Sequence, residues 1–171
     1  GKLFAFEHYD IVPDILVYGK GLGGGFPIGA LSSSREKMEL FREKPILGHI
    51  TTFGGHPVIA SAALANLKET LDSGIMKKIN EKEKLIRKLL CHKLINEIRG
   101  KGLMLALIMK NKKTANQLVI KCIKKGLILF WLLFEDKAVR ITPPLTISNK
   151  EIKLGCKIII NTLNTLDKSV N

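Results

Sequence analysis

The chain is poor in the residues that build small stapled or metal-bound folds. Its three cysteines, Cys91, Cys122 and Cys156, are scattered and include no CxxC pair. An odd, dispersed set argues against a disulfide framework and for a reducing compartment, so a cytoplasmic location is expected. The four histidines, His8, His49, His56 and His92, lack metal-ligand spacing, and no metal is expected. No apolar run reaches the length of a membrane span, and the first residues do not read as a signal peptide. Acid is scarce too: 15 Asp and Glu stand against 28 Lys and Arg, a net charge of +13. Such an excess can mark a nucleic-acid or acidic-membrane partner. The lysines, however, are spread along predicted helix faces at 77–88, 110–125 and 150–157, and aromatics amount to only 6%. A solvated helix surface accounts for the charge better, and neither a membrane nor a nucleic-acid partner is expected.

What the sequence does have is glycine, gathered around one lysine. Asp14-Ile15-Leu16-Val17-Tyr18 is short and apolar and predicts a buried strand. Of the next seven residues five are glycine, the others being Lys20 and Leu22. Glycine permits positive φ and close approach of another group to the backbone. The pattern sets an amine at the end of a strand and clears space around it, as a Schiff-base lysine requires. A GxGxxG string, Gly19-x-Gly21-x-x-Gly24, hides in the same stretch. A dinucleotide loop would have to open a helix there. Instead the string runs into Phe26-Pro27-Ile28-Gly29, and it lacks the GK[ST] ending of a phosphate loop, so both nucleotide readings are rejected.

With 46% hydrophobic residues the 171-residue chain can hold a real core. Ile28–Ser32 predicts a strand. Ser33-x-x-Glu36 predicts a capping box for a helix carrying Met38 and Phe41 and ended by Pro45. Thr51-Thr52-Phe53-Gly54-Gly55 could bind phosphate, although Ser/Thr/Gly loops are usually plain turns. Pro57 opens a helix with Val58, Ala62, Leu64, Leu67 and Leu71 on one stripe, broken by Gly74. A charged helix follows from Ile75 to about Leu94, with Ile75, Ile79, Ile86, Leu89 and Leu90 inward. Residues 98–107 predict a strand pair or a bent strand. Residues 114–125 predict an amphipathic helix with Ala115, Leu118, Val119, Cys122 and Ile123 on its inner face, stopped by Gly126. Leu127–Leu133 predicts a buried strand, with Trp131 and Phe134 as core aromatics. Ala138–Ile141 predicts another strand, closed by Pro143-Pro144. Ser148-x-x-Glu151 caps a last helix with Ile152, Cys156, Ile159, Ile160 and Leu163 inward, and the tail after Leu166 frays. Cys122 and Cys156 thus fall on core faces and are expected to be inert.

Tyr18-Gly19-Lys20-Gly21-Leu22-Gly23-Gly24-Gly25-Phe26-Pro27-Ile28-Gly29-Ala30 resembles the cofactor-lysine segment of class III pyridoxal-phosphate aminotransferases, the acetylornithine and ornithine enzymes among them. Gly1–His8 resembles the segment that follows the family's cofactor-ring aspartate. Thr51–Pro57 is similar to the family's Thr-Thr-Phe-Gly-Gly-Asn-Pro loop, with His56 in place of asparagine. Arg99–Leu103 resembles its Arg-Gly-x-Gly-Leu segment, and Val139–Leu145 its Leu-Arg-Phe-x-Pro-Pro-Leu motif. The resemblance implies an α/β fold: the second half of a fold-type-I large domain at 1–73, then a small α+β C-terminal domain at 74–171.

The resemblance also implies roles. Lys20 would carry pyridoxal 5'-phosphate as an internal aldimine and then act as the base, which requires a neutral, partly desolvated amine. Thr52, with Thr51 second, would bind the cofactor phosphate of a neighbouring subunit, making shared sites in a homodimer. Arg140, which without the motif reads as a structural salt bridge, would bind the substrate α-carboxylate. Lys101, Arg99 and His49 stay structural. The implied reaction is transamination from an ornithine-like amino donor to a 2-oxo acid such as 2-oxoglutarate. The chain is then expected to be a C-terminal portion, inactive alone because the ring-binding aspartate lies upstream. The rival expectation is a basic, non-enzymatic α/β fragment that binds phosphate or nucleic acid.

Overall fold

The computed structural model describes residues 1–168. The chain divides into two compact units, one running from Lys2 to Gly74 and the other from Ile75 onward, with Gly1 counted to the second.

The first unit is organised on a two-stranded antiparallel ribbon. Strand β1 (Ile15–Gly19) pairs with β2 (Gly29–Ser33), in register from Ile15 opposite Ser33 to Gly19 opposite Gly29. The connection begins with a 3-10 turn over Lys20–Gly23. Glycine is needed at 19, because a Cβ there would stand 2.6 Å from the Ile28 carbonyl oxygen. It is needed at 24 for a different reason, a φ of +59° at the end of the turn. Strand β1 is not buried as the sequence predicts: Ile15 is 53% and Val17 72% exposed. Two strands alone cannot cover both of their faces.

Helix α1 is a single short turn, Arg35–Glu39. Its cap is Ser34, whose Oγ accepts from Lys37 N at 3.3 Å, and not Ser33, whose Oγ donates to the Asp14 carbonyl at 2.8 Å. Strand β2 runs through Ser33 and keeps that hydroxyl for its neighbour. The helix stops at Glu39, ahead of Pro45. Helix α2 (Pro57–Asp72) starts with proline at its first turn, as predicted. The expected apolar stripe does not become a core, since Val58, Leu64 and Leu71 are all exposed. The helix instead packs against the glycine turn, with Ala63 buried.

The second unit has a conventional core. A 3-10 turn (Ile75–Lys78) leads into α3 (Ile79–Leu89), which is shorter than the predicted helix. Strands β3 (Ile95–Lys101) and β4 (Met104–Met109) form the predicted hairpin. Helix α4 (Lys112–Ile123) is capped by Asn111, whose Oδ1 accepts from Thr114 N at 2.9 Å. Strands β5 (Phe130–Trp131) and β6 (Ala138–Ile141) complete an antiparallel sheet of order β3-β4-β6-β5.

Helix α5 (Asn149–Lys168) packs against α3 and α4. It starts at the predicted capping box: Ser148 N donates to Glu151 Oε2 at 2.7 Å, and Glu151 N to Ser148 Oγ at 3.2 Å. It runs two residues past Leu166; the rest of the tail, 169–171, lies outside the described residues.

Leu105, Leu107, Met109, Val139 and Ile141 meet Leu118, Cys122, Ile152, Cys156, Ile159 and Leu163 in one core cluster. Alternation along β6 puts Val139 and Ile141 into that core and Ala138 and Arg140 on the other face. The predicted buried strand at 127–133 shrinks to Phe130–Trp131, at the edge of the sheet. Trp131 is 37% and Phe134 fully exposed, so neither is a core aromatic. Ile123 is exposed as well, at the last residue of α4.

Candidate active site

Lys20 stands where β1 ends, as the first residue of the 3-10 turn. Its φ is +47°, in the left-handed region that side-chain-bearing residues rarely take. Its side chain is exposed. Among the described residues Lys20 Nζ has no hydrogen-bond or ion-pair partner. The partial desolvation expected of this lysine is therefore not provided within its own unit: α2 packs against the turn, yet Lys20 itself stays exposed. Around it the backbone is bare. A Cβ built at Gly21 or Gly29 would meet nothing within 4 Å. Packing inside this chain does not demand glycine at those two positions, and the space they leave is open to another molecule.

Thr51 and Thr52 lie in the loop before α2, and both are exposed. Gly54 N donates to the Thr51 carbonyl at 3.2 Å, and His56 N to the Phe53 carbonyl at 3.2 Å. Successive turns thus fold the loop, and the Thr51 hydroxyl lies over Gly54, where a Cβ would stand 2.7 Å from Thr51 Oγ1. His56 is the N-cap of α2 but makes no side-chain cap bond. Its ring instead lies 6.4 Å from that of Phe53. No hydrogen bond joins Lys20 to Thr51 or Thr52.

Arg140 belongs to the second unit. It is half-buried on β6, between Ala106 of β4 and Phe130 of β5. Its guanidinium carbon stands 5.7 Å from the centre of the Phe130 ring. Among the described residues it makes no ion pair, so the salt-bridge reading of Arg140 finds no acidic partner. A cation held over a ring face keeps N–H groups free for a carboxylate. Arg140 also lines a largely apolar cleft of about 500 Å³ together with Phe130, Pro143 and Ile152.

The residues set aside as structural behave differently from these. Arg99 Nε pairs with Glu97 at 2.8 Å on the surface. His49 is exposed in the turns before the threonine loop, and Lys101 closes β3.

Three polar side chains that support the site escape a reading of sequence alone. Asn66 Nδ2 donates to the carbonyls of Gly21 at 2.7 Å and Leu22 at 3.3 Å. Lys82, only 8% exposed, donates from Nζ to the Leu145 carbonyl at 2.6 Å and so ties down the segment that follows Arg140. Arg87 donates to the Ile98 and Gly100 carbonyls at 2.6 and 2.7 Å while its Nε pairs with Glu83 at 2.8 Å. The only hint in the sequence is a polar residue on an otherwise inward helix position.

Burial raises the Cys122 thiol and pushes Cys156 up to about 11, in keeping with inert core cysteines. Hydrogen bonds from Ser148 hold the Glu151 carboxyl below its ordinary value.

Residues 1–163 match the family model described as aminotransferase class-III. The chain belongs to the class-III aminotransferase family.

Among curated class-III relatives, the acetylornithine aminotransferase of Caldanaerobacter subterraneus subsp. tengcongensis is 37% identical over 97% of this chain and 42% of its own length. That of Oceanobacillus iheyensis is 38% identical over 90% of this chain and 38% of its own. The chain thus spans about two fifths of the curated relatives it matches. Among solved structures, ornithine delta-aminotransferase of Plasmodium falciparum superposes with a TM-score of 0.83 at 30% identity, covering 98% of this chain and 43% of that one. Acetylornithine aminotransferase of Elizabethkingia anophelis gives 0.83 at 31%, covering 94% and 41%. The fold is accordingly the second half of a fold-type-I large domain followed by a small α+β domain.

Class-III aminotransferases depend on pyridoxal phosphate, and the residues present fit that group. Lys20 is exposed, its amine has no partner among the described residues, a Cβ at Gly21 or Gly29 would meet nothing within 4 Å, and two exposed threonines stand on the loop before α2.

Proposed function

We propose that this chain serves pyridoxal-phosphate-dependent transamination, from an ornithine-like amino donor to a 2-oxo acid such as 2-oxoglutarate. The observation that carries the reading is Lys20, an exposed amine without a partner, held at a left-handed φ beside glycine backbone with room above it. When bound, the cofactor supplies the electron sink that makes the substrate's Cα–H acidic.

The chain's own residues do the rest. Lys20 Nζ would hold the cofactor and, as a neutral amine, would serve as the base for the proton at Cα. Thr52 Oγ1, with Thr51 second, donates to the cofactor phosphate. Arg140 takes the substrate α-carboxylate in a bidentate pair, with Phe130 behind its guanidinium. In this reading residues 1–73 belong to the large domain and 74–171 to the small one. The enzyme is a cytoplasmic homodimer whose threonine loop reaches the neighbouring subunit's site.

The test is chemical. The full protein is incubated with pyridoxal phosphate, reduced with borohydride and mapped by mass spectrometry. A pyridoxyl group on Lys20 supports the reading. Equal modification of Lys20 and surface lysines such as Lys2 and Lys68 overturns it. Steeply salt-dependent DNA binding without cofactor would favour the basic-fragment alternative instead.

A further inference from the structure

We propose that Asn66 positions Lys20, by gripping the glycine turn on which that lysine stands; the inference rests on Lys20 being the cofactor lysine.

Asn66 lies in the middle of α2, where asparagine is a poor helix former because its amide competes for backbone partners. Here the amide leaves the helix altogether. Nδ2 donates to the Gly21 carbonyl at 2.7 Å and the Leu22 carbonyl at 3.3 Å, the two residues that directly follow Lys20. A 3-10 turn four residues long leaves most of its carbonyls without intrahelical donors. Gly21 O also accepts from Gly24 N at 3.2 Å and Gly23 O from Phe26 N at 3.1 Å, and Asn66 adds the donor that reaches the Leu22 carbonyl.

The approach is tight. A Cβ on Gly24 would stand 3.0 Å from Asn66 Cβ, so a short side chain at 66 suffices to reach across. The left-handed φ of Lys20 needs surroundings that over-determine it. On one side these are the last rung of the ribbon, Gly19 opposite Gly29. On the other side is Asn66. Because α2 follows directly on the Thr51–Thr52 loop, the same helix ties the lysine's turn to the segment proposed to bind phosphate.

Two variants of the full protein test this. Asn66→Leu keeps the size and improves helix propensity, so α2 is preserved. Asn66→Asp keeps the shape but turns an acceptor toward two carbonyls. The first readout needs no cofactor: competitive reductive methylation, with Lys20 labelling compared to that of Lys68 in the same sample. The second is kcat and KM. Both variants are expected to change the Lys20-to-Lys68 ratio severalfold. In both, kcat is expected to fall roughly ten- to hundred-fold with KM nearly unchanged, as misplacement of a reacting group does. A ratio and a kcat equal to the parent's would overturn the positioning role. Absence of a pyridoxyl adduct on Lys20 in the parent sinks the cofactor reading instead, while the methylation ratio still reports whether Asn66 holds the turn.

Discussion

Among the described residues, Ala63 is the one hydrophobic side chain of the first unit that is buried, whereas the second unit buries apolar residues from Ile79 to Leu166. Yet the first unit is hardly less apolar in sequence. Its Ile11, Val12, Ile15, Val17, Leu31, Phe41 and Val58 are simply exposed. The second unit closes a four-stranded sheet under three helices and satisfies its own patterning. The first has a ribbon of two strands, with α2 bound to its glycine turn through Asn66. The difference teaches that the candidate residues of the two units rest on unlike foundations. Arg140 sits on a sheet with a finished core, and Lys20 on a turn held by Asn66.

The largest expected effect lies in the first unit and concerns chemistry alone. In the full protein Lys20→Ala should abolish transamination while leaving the thermal midpoint almost unmoved, because its amine has no partner among the described residues. Normal turnover in that variant would remove Lys20 from the mechanism. On the other foundation, Arg140→Ala should raise KM for both amino donor and oxo acid. The loss of a charge-assisted carboxylate pair is on the order of 2–5 kcal/mol. Cofactor affinity should stay as it was, and unchanged KM values would return Arg140 to a structural role.

Stability should separate the units next. Leu163 is wholly buried, and Leu163→Ala should cost about 2–5 kcal/mol in urea unfolding. Val17 is 72% exposed, and Val17→Ala should change stability by no more than about 0.5 kcal/mol. Comparable losses at both sites would erase the contrast. Thr52→Val should lower cofactor affinity by about one hydrogen bond to a charged group, roughly 1.5–3 kcal/mol. If sites are shared across a dimer, mixing Thr52→Val with Lys20→Ala subunits should restore activity; mixtures no better than either parent would argue against sharing.

The smallest effect is at the start of α5. The Glu151 carboxyl is held below its ordinary value chiefly by its Ser148 hydrogen bonds. A depressed carboxylate stabilises the fold above its unfolded pKa, and that stability is lost as pH falls through the lowered value. Ser148→Ala should therefore flatten the acid limb of the stability profile, below the ordinary carboxylate range, and leave neutral pH less affected. An unchanged acid limb would show that the capping box does not set Glu151.

Most helices and strands were legible because their signals are local. Pro57 begins α2, Ser148 with Glu151 begins α5, and glycines punctuate the β3–β4 hairpin. The misreadings share one cause. Leu127–Leu133 and Asp14–Tyr18 look like buried strands by composition, but burial depends on what lies over a strand, not on the strand. Trp131 and Phe134 failed as core residues for the same reason, at the edge of a sheet.

By itself the sequence determined the chemistry on offer: an amine among glycines, two adjacent hydroxyls, and a guanidinium before two prolines. It also determined the family, because those strings are long and ordered. Only the tertiary structure decided which of these groups stand free and what holds them. The grip of Asn66 across 45 residues on the turn beside Lys20, Arg140 over Phe130 and the buried Lys82 under Leu145 all join residues apart in the chain. A hydrogen bond or a ring contact at such separation leaves no periodicity in sequence, so only the folded backbone reveals it.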